Sequence, residues 1–112
     1  MQKFPAVLSV ALLLAGCAMS STQFDATREA LRGSPPLRQQ AIADCTANQA
    51  RRSLQARQDA ARVMNVSVRA MPRTICTRLV AGWSSGRLSY DDYRSAMVGS
   101  MTPNTVRIIQ GR

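Results

Sequence analysis

The stretch RTICTRLVAGW, Arg73 to Trp83, has the clearest pattern in the chain. Ile75, Cys76, Leu79, Val80 and Trp83 recur at helical spacing, which places them on one face of an α-helix. They predict a helix from about Arg73 to Trp83 at the centre of the core, ended by Gly82 and Gly86. Downstream, GRLSYDDY continues with a helix start: Ser89 is an N-cap, Asp92 the third residue of a capping box, and Leu88 a staple against Tyr93. Asp91 and Asp92 suit the positive end of that helix. Two adjacent carboxylates could suggest a bound cation, but the cap accounts for them without a ligand, and too few other oxygens lie nearby for a calcium loop.

Upstream, SPPLRQQAIADC opens a second helical segment, with Ser34 as N-cap and Pro35 at the first helical position. No Gly or Pro follows for about thirty residues rich in Ala, Gln and Arg, so the expectation is one long helix from about 35 to 64. Its apolar stripe is poor: Ala41, Cys45, Ala56, Ala60 and Val63 share a face with Gln49 and Arg52, while Leu54 points away. Before it, Asp25 could cap a short helix through Arg32, closed by Gly33. The segment NVSVRAMP, Asn65 to Pro72, alternates Val66 and Val68 with polar residues and ends before a proline, which reads as extended. Its pairing with TVRII, Thr105 to Ile109, into a minor β segment is an option the sequence leaves open. The fold class expected is therefore mainly α: a small helical domain of one long helix and two shorter ones.

The amino-terminal sequence has a different character. After Lys3, the only lysine, Phe4 to Ala15 is a mainly apolar run ending in small residues. It falls short of the roughly 20 residues a membrane-spanning helix needs and has the proportions of a secretory signal. Leu14, Ala15, Gly16 and Cys17 resemble the lipobox of bacterial lipoproteins, in which an aliphatic residue and two small ones precede a cysteine. The resemblance covers residues 1 to about 20. It implies a diacylglycerol thioether on Cys17, cleavage by signal peptidase II after Gly16, and acylation of the new amino terminus. Ala18 rather than aspartate after the cysteine implies onward transport to the outer membrane. Acyl chains stabilise anchoring by about 0.8 kcal/mol per buried methylene, so two or more hold firmly where one does not.

Removal of 16 of the 112 residues leaves 96, enough for one small domain. The organisation expected is a signal peptide at 1–16, a lipid-anchored tether with a short helix at 17–33, a helical domain at 34–100 and a tail at 101–112. Of the 15 cationic residues only Lys3 precedes Cys17, so 14 arginines face 6 acids at a net charge of +8. Such a surface favours anionic partners, and guanidinium forks bind phosphate and carboxylate in pairs of hydrogen bonds. Arg51, Arg52, Arg57 and Arg62 concentrate this charge on the long helix and are the candidate contact residues. Peptidoglycan, lipopolysaccharide or an acidic envelope protein would be the partner. The export signal argues against nucleic acid.

Cys45 and Cys76 are the thiols left once Cys17 is lipidated, and in an oxidising compartment they are most simply a disulfide. A bridge to another chain is the alternative. A metal pair would lack histidine, and a redox pair would lack CxxC spacing. Closing a loop of this size stabilises a fold by roughly 3–4 kcal/mol in the chain-entropy model. Cys45 lies about 28 Å back along a helix reaching Met64. Eight extended residues would return the chain over about 26 Å and bring Cys76 beside it.

The sequence carries no histidine and one glutamate, Glu29, so the usual nucleophile–base arrangements are missing, and no glycine-rich phosphate loop appears. No enzyme, cofactor or metal is expected. Two functions remain: a lipid-anchored envelope protein acting by binding or structure at the periplasmic face of the outer membrane, or an accessory subunit or inhibitor of an envelope machine of the secretion or conjugation type.

Overall fold

The computed structural model describes residues 18–112; the expected signal sequence and Cys17 lie outside the described residues. The described chain forms six α-helices and no strand: α1 Ser21–Gly33, α2 Pro35–Ala50, α3 Leu54–Met64, α4 Met71–Ser85, α5 Tyr90–Met97 and α6 Pro103–Ile109. None of them is long and apolar enough to cross a membrane.

α4 is the central helix, and its residues Met71, Ile75, Cys76 and Val80 are buried against Leu31, Ile42, Ala61, Met64 and Ile109 from four other helices. α2 lies antiparallel to it, so that the start of α2 is near Ser84 and Cys45 is beside Cys76. Those two cysteines form a disulfide with a Cα–Cα distance of 5.7 Å, closing a loop with a sequence separation of 31. Gly86 ends α4 in the left-handed conformation at φ 86°, where a side chain would be strained. Gly82, read from sequence as a helix end, is instead inside α4. A Cβ there would lie 3.1 Å from the Ile108 side chain, so the glycine lets α6 approach closely.

The long helix expected over 35–64 is broken at Arg51–Ser53 into α2 and α3. A straight helix of thirty residues would be about 45 Å long, whereas α4 with its 15 residues offers a partner only about 22 Å long. The break folds α3 back, burying Ala61 and Met64, and Ser53 caps the new start by accepting the Ala56 amide at 3.1 Å. Leu54 remains 54% exposed, which fits its position outside the stripe.

Asn65 to Ala70 is not extended. Asn65 caps α3 at φ 57°, Val66 donates its amide to Ala61, and the Ser67 hydroxyl accepts the Ala70 amide at 3.1 Å. This first turn leads directly into α4, with Pro72 near its start. The break in the long helix, rather than an extended return, brings the cysteines together. The optional minor sheet is absent because Thr105–Ile109 belongs to α6, which starts at the Thr102 cap.

Asp25 does not cap α1. Ser20 does, in a capping box with Gln23, and Asp25 is inside the helix paired with Arg28. α1 supplies Phe24 and Leu31 to the interior and α6 supplies Ile108 and Ile109, so both the stretch expected as a tether and the tail contribute to the core.

Candidate functional site

The two ends of α4 have different chemistry. At its carboxyl end, Trp83 stacks on Phe24 with ring centroids 4.9 Å apart, and Tyr90 and Tyr93 complete a four-ring cluster. The Trp83 indole N–H donates to the Phe24 carbonyl at 3.2 Å, satisfying the one polar atom the ring buries. Met19 is fixed there by both backbone groups: its N–H donates to the Tyr93 hydroxyl at 3.0 Å and its carbonyl accepts from the Tyr90 hydroxyl at 2.7 Å.

The capping box expected at Ser89–Asp92 is present and extends further. Asp92 Oδ2 accepts the Ser89 amide at 2.9 Å and the Asn104 side chain at 2.7 Å, while Oδ1 accepts the Thr102 hydroxyl at 2.5 Å. One carboxylate thus caps α5 and ties the start of α6 to it. Burial pushes the Asp92 carboxyl up, but the hydrogen bonds from Thr102, the Ser89 backbone and Asn104 outweigh it and hold the pKa at about 2, below the ordinary 3.8. Leu88, Tyr93 and Phe24 pack in one cluster, as the staple requires.

At the other end of α4 the arginines gather. Arg51 and Arg52 occupy the break between α2 and α3, where their guanidiniums donate to the side chains of Asn48 and Gln49. Arg57 donates to the Arg52 carbonyl at 3.1 Å, and Arg62 is exposed on α3. Arg69, Arg73 and Arg78 line a shallow groove of about 420 Å³ with Thr74 and Thr77, and no acid lines it. Sequence reasoning did not single out these three. Arg69 and Arg73, one helical turn apart across the start of α4, are the signal that could have found them.

Among the described residues only two ion pairs form, Arg28–Asp25 at 3.1 Å and Arg32–Glu29 at 3.5 Å. Several of the other arginines have structural work. Arg38 donates to the Leu31 and Arg32 carbonyls at the end of α1, and Arg78 to the Ile109 carbonyl at the end of α6. Among the described residues Arg69 and Arg73 form no such bond. They stand instead at the amino-terminal end of α4, where the helix dipole disfavours positive charge.

Cys17 lies outside the described residues. Among them, no group of three His, Cys, Asp or Glu side chains converges as metal ligands would. The chain matches no protein-family model, no curated protein and no solved structure.

Proposed function

We propose that the protein is a lipid-anchored lipoprotein of the bacterial envelope, held at the periplasmic face of the outer membrane, whose basic helical domain acts by binding rather than by catalysis. The observation that carries this reading is the sequence Leu14-Ala15-Gly16-Cys17 at the end of a short apolar run. The Cys45–Cys76 disulfide agrees with export to an oxidising compartment. The groove of Arg69, Arg73 and Arg78 supports an anionic partner such as peptidoglycan carboxylates or lipopolysaccharide phosphates. Lipidation is tested by the mass of the N-terminal peptide in the parent and a Cys17→Ser variant: the diacylglycerol mass should be present in the first and the variant should leave the membrane fraction. Binding is tested by retention of the domain on envelope fractions, which should weaken with salt and with Arg51, Arg52 and Arg57 changed to Gln.

A second reading, an accessory subunit or inhibitor of an envelope complex, is favoured by exposed apolar side chains at the end of α5. Met97, Val98 and Met101 are 56%, 82% and 46% exposed. Beside α5, a cleft of about 370 Å³ is lined almost wholly by apolar groups, among them Leu37, Ala41, Leu79 and Trp83. Co-purification with one partner that persists at high salt would select this reading over the first.

A further inference from the structure

We propose that the edge formed by Met19, Tyr90 and Tyr93 is a membrane-contact surface, on which the domain sits directly against the phospholipid bilayer. The proposal rests on the reading that Cys17 carries the lipid.

The first support is the length of chain between lipid and fold. Met19 is pinned to the domain by the Tyr90 and Tyr93 hydroxyls, and Ser20 already caps α1. Only Ala18 separates Met19 from Cys17. Two virtual bonds of about 3.8 Å place the two Cα atoms no more than about 8 Å apart. A flexible tether spanning 17–33 would instead have allowed a separation of about 23 Å. With acyl chains in the bilayer, the Met19 edge is therefore held at head-group level.

The second support is the chemistry of the edge. Tyrosine and tryptophan rings are enriched at the boundary between head groups and acyl chains, and here the two hydroxyls and the indole N–H already have partners within the domain. Tyr90, Tyr93 and Trp83 are all half-buried here, and the Arg94 guanidinium lies 6.0 Å from the Tyr90 ring centroid. Arg28 is paired with Asp25, and the contact follows from the anchoring geometry rather than from attraction to anionic lipid. Trp83 and Arg73 are ten residues apart on α4, about 15 Å along the helix axis. The Arg69 and Arg73 part of the groove is thus set back along α4 from the aromatic edge, with Arg78 between them.

Trp83, the only tryptophan, is a built-in probe. The full chain would be purified from membranes, its lipid confirmed by the N-terminal peptide mass, and reconstituted into phosphatidylcholine vesicles containing lipids brominated close to the head group. Trp83 emission should be strongly quenched. In a lipidated variant with about 12 Gly and Ser residues inserted between Ala18 and Met19, a spacer with a reach of about 19 Å, most of that quenching should be lost. Lipidated parent protein that shows no quenching, or quenching equal to that of the spacer variant, overturns the proposal. Absence of the lipid mass overturns the anchoring reading instead. The near-ultraviolet circular dichroism of the spacer variant should match the parent. If it does not, the vesicle-bound parent is compared with the Cys17→Ser protein in solution: iodide should quench Trp83 less in the first, and equal quenching in the two overturns the proposal.

Discussion

The Met19 end and the arginine end of the bundle are built on opposite terms. At the first, four aromatic rings stack, the buried indole has its acceptor, and one carboxylate is satisfied from three sides. At the second, a helix is interrupted, and like charges stand one turn apart with no carboxylate partner among the described residues. The difference teaches where the stability of a small domain is concentrated and where it is given up. The aromatic end stabilises the fold, whereas at the arginine end Arg69 and Arg73 present charge with no bond among the described residues.

That contrast is broken most severely at Phe24. Its ring is fully buried and contacts Trp83, Tyr90 and Tyr93, so Phe24→Ala should cost about 3–5 kcal/mol in urea unfolding. A loss below about 1 kcal/mol would mean that the cluster is not a core. The next largest effect belongs to the disulfide that joins α2 to the middle of α4. Replacing Cys45 and Cys76 together by Ser should cost roughly 3–4 kcal/mol, and thiol titration of the parent domain should find neither cysteine free.

Asp92 gives a smaller loss with a pH signature. Asp92→Ala removes the α5 cap and orphans the Thr102 and Asn104 donors, at about 2–3 kcal/mol. Because the folded-state pKa is depressed, the carboxylate contributes stability above the ordinary pKa of 3.8. That contribution fades as the pH falls through the folded value of about 2. Unfolding midpoints measured between pH 5 and about pH 2 should therefore drop in the parent more steeply than in the variant.

The aromatic end and the arginine end were not equally legible in the sequence. The α4 stripe, the Ser34 and Ser89 caps and the cysteine pair were readable because each depends on spacing within one helix or on a count of thiols. The break at Arg51–Ser53 was not, since no Gly or Pro marks it. Its cause is the limited length of α4, a tertiary fact, and its only local trace is the Ser53 cap. Phe24 is hard to see within the stretch expected as a tether, because the small polar residues Ser20 to Gln23 suit a linker as well as the capping box they form. The arginines were visible as a composition, but the sequence did not divide them into those that cap helix ends, such as Arg38 and Arg78, and those that do not, such as Arg69 and Arg73.

The smallest expected effect sharpens the contrast most because its sign is unusual. Arg69 and Arg73 are four residues apart, and like charges at that spacing destabilise a helix by about 0.2–0.5 kcal/mol. A positive charge in the first turn of α4 adds an unfavourable interaction with the helix dipole of similar size. Arg73→Gln should therefore raise stability, by about 0.3–1 kcal/mol in urea unfolding at low salt. The same variant should bind envelope fractions less well, since it removes a guanidinium from the groove. A gain in stability paired with a loss of binding is what a residue kept for its partner would give. If stability and retention were both unchanged, the arginine end would be an ordinary solvated surface.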